Sequence, residues 1–294
     1  MEIKKLEALV ETIKTKSINK AADNLGYTQS GLSYIINTVE TEFGVQILKR
    51  TNRGIQLTEE GALLLPYIEA IIEKEVKLLH QIDLMKNQHP PVIRIGTFSS
   101  IAANWLPKVI ESFNQRFPEV KLEIHTGILE ITQWLEEGTI DIALLENGLA
   151  EGYSWKHIAD DKMYVAFPSD SPLADQEEIT LESLEDYTVI LPSRNIKNAV
   201  VVELERKKLE YKNKIALATS DGSMLYSMVS QGCGVTFIAG MWRFNCPNGV
   251  TLRPLTPSIK RSLGIVVNKD SQNIPSVKCF TKHLISHKET QKHT

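Results

Sequence analysis

Ser17-Ile18-Asn19-Lys20-Ala21-Ala22-Asp23-Asn24-Leu25-Gly26-Tyr27-Thr28-Gln29-Ser30-Gly31-Leu32-Ser33-Tyr34-Ile35-Ile36-Asn37 is the stretch whose reading decides the fold. Ile18, Ala21, Ala22 and Leu25 recur at the i, i+3, i+4, i+7 spacing of one helix face. Ser17 stands where an N-cap accepts an orphan amide, and Gly26 where a left-handed residue ends the helix. Thr28 caps the next helix, whose apolar side is Leu32, Ile35, Ile36, Val39 and Phe43, and Gly44 stops it. Upstream, Ile3, Leu6, Leu9, Val10 and Ile13 predict a first helix over 3–16. Two short helices joined by a tight Gly-containing turn make a helix-turn-helix, and the small Ala21 and Ala22 let them approach closely.

The other side of the third helix carries Gln29, Ser30, Ser33, Tyr34 and Asn37, uncharged but rich in donors and acceptors. Gln and Asn pair bidentately with adenine in the major groove, and Ser reads several base edges. A solvated polar face is the alternative. Such faces carry Lys and Glu, and this one has neither before Glu40. Residues 45–48 and 54–57 predict two short strands around Thr51-Asn52-Arg53-Gly54, a turn-forming stretch. That hairpin is a wing, with Arg50 and Arg53 placed for phosphates and Arg53 at the tip for the minor groove.

Thr58 precedes Glu59 and Glu60 and so caps a fourth helix, whose pattern runs to about residue 87. Pro66 predicts a kink or break near Leu65. Beyond it Ile68, Ile72, Val76, Leu79 and Ile82 form a narrow apolar stripe, either packed on the chain's own domain or serving as a dimer seam. A palindrome read one DNA turn apart needs two helix-turn-helix units, which favours the seam. His89-Pro90-Pro91 ends regular structure. The predicted organisation is a winged helix-turn-helix over 1–58, a linker and dimerisation helix over 59–89, and a further domain over 90–294.

That last domain alternates strands with helices, the mark of an α/β domain with a mostly parallel sheet. Strands are predicted at 92–96, 120–125, 140–145, 163–167, 188–191, 215–218, 235–238 and 263–267. Helices are predicted at 102–116, 128–137, 197–210, 221–231 and 275–287. Two such lobes with two crossings describe a hinged clamp around a ligand. The crossings are expected near Phe167-Pro168 and near 263–267. Lobe I is thus 92–167 with 265–294, and lobe II is 168–264. Ligands in open α/β sheets lie beyond the carboxyl ends of the strands. Those points are Thr97-Phe98-Ser99-Ser100, Thr126, Ser193 with Arg194, and Thr219 with Ser220 and Asp221. Ser99, Ser100, Thr126, Ser193 and Thr219 are the candidate ligand contacts. Hydroxyls and free amides at a helix N-terminus favour an anion, while helix capping alone is the competing role.

Composition narrows the classes. The chain has 294 residues and a formal charge of −3, so bulk charge gives no sign of nucleic acid. No run approaches the ~18 apolar residues of a membrane span, and the charged start Met1-Glu2-Ile3-Lys4-Lys5 is no secretory signal. The expected location is the cytoplasm, with no membrane partner. Cys233, Cys246 and Cys279 are scattered and lack metal-ligand spacing, so neither a disulfide framework nor a metal is expected. No nucleophile elbow, Walker loop or dinucleotide fingerprint occurs, so neither catalysis nor a cofactor is expected. A transport solute-binding protein has no use for a helix-turn-helix. A thiol-sensing regulator is the remaining alternative. There Cys233, in an apolar Gly-flanked stretch, reads as buried and Cys246, beside Pro247, as exposed.

These residues resemble the LysR-type transcriptional regulators. The matching stretches are 17–25, Thr28-Gln29-Ser30-Gly31-Leu32-Ser33, Glu40-Thr41-Glu42-Phe43-Gly44-Val45 and Leu57-Thr58-Glu59-Glu60-Gly61. Further along come Trp105-Leu106-Pro107, Phe113, Phe117-Pro118-Glu119-Val120, residues 135–143, and Gln231-Gly232-Cys233-Gly234-Val235. The resemblance implies a periplasmic-binding-protein-like effector domain with a small-molecule inducer in its interlobe cleft. It implies a homotetramer, a dimer of dimers, that bends double-stranded promoter DNA and works with RNA polymerase. The sequence departs from the family at Tyr34, where a basic residue is common, and at Leu48, where Phe is usual. Gly31 inside the recognition helix costs about 1 kcal/mol of helix propensity.

Overall fold

The computed structural model describes residues 2–51, 54–86, 91–193, 198–217 and 221–287. The chain divides into two compact units, 1–88 and 89–294.

In the first unit, α1 (Ile3–Thr15), α2 (Ile18–Leu25) and α3 (Gln29–Phe43) form where the periodicity predicts. Ser17 Oγ accepts from Lys20 N, and Thr28 Oγ1 accepts from Gly31 N at 3.1 Å. Gly26 and Gly44 end their helices at φ 71° and 69°, which a Cβ would strain. Leu6, Leu9, Ala21, Ala22, Leu32, Ile36 and Val39 are buried together. The hairpin consists of β1 (Leu48–Thr51) and antiparallel β2 (Gly54–Leu57). β1 therefore begins three residues later than predicted. The reason is Glu40, whose Oε1 accepts from both Ile47 N (2.7 Å) and Leu48 N (2.8 Å) and holds the chain out of pairing until that point. The turn end of the hairpin is tied to the end of α1 by Ile55 N donating to Lys16 O at 3.0 Å. There Gly54 (φ 98°) lies so close that a Cβ would stand 2.6 Å from Lys16 O.

Helix α4 (Glu59–Lys86) starts at Thr58, whose Oγ1 accepts from Gly61 N. It runs unbroken through Pro66, so of the kink or break predicted near Leu65 the break does not occur. A proline deletes one backbone donor, and here the helix on either side of it is held by Leu64, Leu65, Ile68 and Ile72 packing on the core of this unit. Ile68 is 2% exposed. The first part of the predicted seam is thus packed inside the chain's own unit. The face left exposed is a different one, with Leu63, Tyr67, Ile71, Leu78 and Met85.

The second unit is one twisted sheet with strand order β4-β3-β5-β11-β6-β9-β7-β8 and β10 beside β6. Lobe I contains β3 (Val92–Thr97), α5 (Ser99–Asn104), α6 (Leu106–Asn114), β4 (Lys121–Thr126), α7 (Glu130–Glu136) and β5 (Ile142–Glu146). The long β6 (Trp155–Pro168) leads into lobe II. That lobe holds β7 (Val189–Pro192), α8 (Ala199–Lys207), β8 (Lys214–Leu217), α9 (Gly222–Ser230), β9 (Val235–Ala239) and β10 (Val250–Pro254). β11 (Lys260–Val267) and α10 (Pro275–Ser286) return to lobe I. β3 pairs in parallel with β4 and β5, and β7 with β8 and β9. β11 and β6 run antiparallel to their neighbours.

This pairing moves the crossings. Residues 155–162 of β6 pair with β11 in lobe I, and 163–168 pair with β9 and β10 in lobe II. The strand passes between lobes at Lys162/Met163 rather than at Phe167-Pro168, and the return lies between Pro254 and Lys260 rather than at 263–267. The charged half of β6, Trp155-Lys156-His157-Ile158-Ala159-Asp160-Asp161-Lys162, has no apolar run to announce it, and β10 is an addition to the predicted strands. The predicted helix over 102–116 is two helices that begin at Ser99 and meet at Trp105.

Candidate DNA-reading face and ligand cavity

On α3, Gln29, Ser30, Tyr34 and Asn37 are exposed and Ser33 is half-buried. Leu32, Ile36 and Val39, on the other side, anchor the helix in the core. Gln29, Ser33 and Asn37 follow one another at four-residue steps, so they form one stripe along the helix. Gln29 Nε2 donates to Ser33 Oγ at 3.2 Å. Tyr34 is 74% exposed, a large ring offered to solvent beside that stripe. The stripe stays uncharged because Glu40, the first acid on the helix, turns its carboxylate to the amides of Ile47 and Leu48. Arg50 is exposed, but it lies on β1 itself, opposite Ile55, and not in the turn. Lys49, opposite Gln56, is exposed on the other hairpin face; β pairing was needed to see that the two cations diverge. Arg53 lies outside the described residues.

In the second unit a cavity of about 100 Å³ lies between the lobes. Lobe I contributes Phe98, Ser100, Ile128 and Glu146, and lobe II an apolar wall that includes Ile190, Leu217, Leu225, Phe237 and Trp242. Of the predicted contacts, Ser100 lines it. Ser99, Thr126 and Ser193 are not among its lining residues: Thr126 is exposed at the end of β4, and Ser193 N is bonded to Leu217 O at 3.0 Å. Thr219 lies outside the described residues.

The residues missed are the charged ones. Arg261 on β11 and Asp161 on β6 face each other across the crossing strands. Arg261 Nε and Nη2 donate to Asp161 Oδ2 at 3.0 and 2.8 Å, and Nη2 also donates to Ser100 Oγ at 2.8 Å. Asp161 Oδ1 accepts from Met241 N at 3.1 Å. One buried ion pair thus joins α5 of lobe I to the 240–245 turn of lobe II, with Nη1 of Arg261 3.8 Å from Glu146 Oε1. Burial pushes the Glu146 carboxyl above its ordinary range, Arg261 opposes this, and Asp161 adds to it. Glu146 ends β5, so the rule that selected Ser100 at the end of β3 also pointed here. Arg261 and Asp161 stand a hundred residues apart and left no joint signal.

The cysteines reverse their expected exposure. Cys233 is exposed and Cys246 half-buried. Cys233 lies between two glycines in the positive-φ region, Gly232 at 72° and Gly234 at 149°, while Cys246 Sγ donates to Val250 O at 3.4 Å and burial raises its pKa. Cys279 is buried and its thiol is pushed up to about 12 by burial.

Comparison with known proteins matches residues 3–62 to the bacterial regulatory helix-turn-helix protein, lysR family, and residues 86–289 to the LysR substrate binding domain. The uncharacterized HTH-type transcriptional regulator YvbU of Bacillus subtilis is 28% identical over 91% of this chain and 92% of its own. A full-length OxyR variant of Pseudomonas aeruginosa superposes with a TM-score of 0.59 at 20% identity, covering 97% and 99% of the two chains. Full-length CbnR, solved in complex with its target DNA, gives 0.58 at 16% identity over 98% and 100%.

Proposed function

We propose a working mechanism from the premise that this chain belongs to the LysR family of bacterial regulatory helix-turn-helix proteins. It is a DNA-binding transcriptional regulator with an effector-binding domain, like its relatives. In the mechanism, α3 enters the major groove of promoter DNA and reads it with Gln29, Ser30, Ser33, Tyr34 and Asn37. Arg50 on the hairpin, with Arg53, meets phosphate and adds sequence-independent affinity. The observation that carries this is the uncharged, exposed donor–acceptor stripe on α3, from which Glu40 has been turned away.

Two copies pair through the exposed apolar face of α4. Ile71, Leu78 and Met85 repeat at seven-residue steps, as a coiled-coil seam requires. Pairs of dimers then span the promoter, where RNA polymerase is the further partner, in the cytoplasm. A small molecule in the interlobe cavity shifts the balance between two arrangements of the lobes.

Gel-shift and footprinting assays with Asn37→Ala and Arg50→Ala test the DNA half. Asn37→Ala changes which bases are protected. Arg50→Ala weakens all sequences alike and flattens the slope of log K against log salt by about 0.9 for each phosphate no longer neutralised. Identical footprints for Asn37→Ala and wild type, or base-specific loss with Arg50→Ala, refute the assignment.

A further inference from the structure

If the interlobe cavity is the effector site, as proposed above, its charges limit what it accepts. Among the described residues that line it, the charged side chains are Arg261 and Glu146. Arg261 commits Nε and Nη2 to Asp161 and Ser100. Its Nη1 stands 3.8 Å from Glu146, too far for a hydrogen bond, and retains two N–H donors. Glu146 accepts no hydrogen bond among the described residues, although its side chain is only 16% exposed. The carboxylate is therefore largely out of water, and its nearest cation already serves Asp161. Burial is the main reason its pKa is raised, with Arg261 opposing the shift and Asp161 adding to it.

A ligand bearing only a carboxylate would add a third negative group to one guanidinium. A bare hydrocarbon would fill the lobe II wall but leave Glu146 and Nη1 without partners. Two complementary polar points 3.8 Å apart, one acidic and one donating, call for a cation beside an anion. The remaining wall is mainly hydrophobic, with Ile190, Leu217, Leu225, Phe237 and Trp242; its polar members Asn198 and Thr236 bond to the chain's own backbone, Asn198 Oδ1 accepting from Val200 N and Val201 N and Thr236 Oγ1 donating to Ile190 O. We propose that this cavity takes an apolar α-amino acid, its ammonium on Glu146, its carboxylate on Arg261 Nη1, and its side chain against lobe II.

The test is differential scanning fluorimetry on the full chain. The probes are valine, leucine, methionine and phenylalanine, each against its deaminated acid: 3-methylbutanoate, 4-methylpentanoate, 4-(methylthio)butanoate and 3-phenylpropanoate. At least one amino acid raises Tm with a half-saturating concentration about tenfold or more below that of its deaminated acid. Glu146→Gln erases that preference and Glu146→Asp retains it; the ligand-free Tm of each variant reports its folding. A deaminated acid that binds as well as its amino acid, or no shift with any of the four amino acids at millimolar concentration, overturns the proposal. Gel shifts on the same protein separate this from the regulator reading. Absence of DNA binding would refute that reading whatever the amino acids do.

Discussion

Replacing Arg261 by Met tests whether the pair at the lobe crossing holds the second unit together. The Met side chain keeps most of the apolar stem and loses the guanidinium. Asp161, 7% exposed, would then retain Met241 N, at 3.1 Å, as its hydrogen-bond donor among the described residues. Removing one partner of a buried pair costs about 3–5 kcal/mol, because the other charge stays dry and uncompensated. In a domain of this size each kcal/mol moves Tm by about 2–4 °C, so the expected drop is about 6–20 °C. Asp161→Asn should cost less. It leaves Arg261 with Ser100 Oγ and with Glu146, 3.8 Å away, and its amide oxygen still accepts from Met241 N. The double variant should therefore recover most of what Arg261→Met loses, a coupling between neighbours that single changes do not show. Urea titration followed by tryptophan fluorescence measures it cleanly. Trp105, Trp134, Trp155 and Trp242, the chain's four tryptophans, all lie in the second unit. A loss below about 1 kcal/mol for Arg261→Met, or a double variant no more stable than that single one, would show that the pair contributes little.

Three other expectations follow from local structure. Placing charge on the exposed face of α4, with Ile71→Glu and Leu78→Glu, should lower the mass seen in sedimentation velocity while the far-UV spectrum is kept. Unchanged mass would remove α4 as the pairing surface. His283, whose Nε2 lies 2.8 Å from Ser112 Oγ, has its pKa pushed down to about 4 by burial, with His287 adding to the effect. The unfolded residue titrates near 6.5, so its contribution to stability is present above about pH 6.5 and declines as pH falls towards about 4. His283→Gln should flatten Tm against pH between those values, and curves parallel to wild type would contradict this. Iodoacetamide should label Cys233 well before Cys279 and leave DNA binding and ligand response intact; loss of either would favour the thiol-sensing alternative.

What was legible in the sequence is what is decided within a few residues. Ser17 and Thr28 accept from amides three positions on and Gly26 N donates to the carbonyl of Ala22 four positions back, so a cap can be read where it stands. The same is true of the strands of lobe II that are buried on both faces, such as β9 (Val235–Ala239), with all five residues buried. The misreadings share the opposite character. The charged half of β6 is a strand because β11 pairs with it from a hundred residues away, and no local apolar run announces it. β1 begins at Leu48 because Glu40, on another element, takes the amides of Ile47 and of Leu48 itself. The stripe on α4 was visible, but two faces of one helix compete. The face at Ile68 and Ile72 went to the chain's own core, leaving Leu63, Tyr67, Ile71 and Leu78 outside.

The two candidate sites divide along the same line. A recognition face on one helix is written in consecutive turns of that helix, so Gln29, Ser33 and Asn37 can be picked out by spacing alone. A cavity between lobes takes its walls from whichever strand ends the topology brings together. Ser100, in the first turn of α5 just beyond β3, and Glu146, the last residue of β5, are within reach of a strand-end rule, but Arg261 belongs to neither pattern. It enters on β11, the strand that returns from lobe II and runs antiparallel to the rest of lobe I, and it faces Asp161 on the other crossing strand. A rule for the carboxyl ends of parallel strands is blind to that position, because Arg261 lies at the amino-terminal start of β11 and Asp161 in the middle of β6. In a two-lobed clamp the groups that feel both lobes must sit on the crossing strands. The charged pair inside those strands is therefore where a change in lobe arrangement, on ligand binding, would register first.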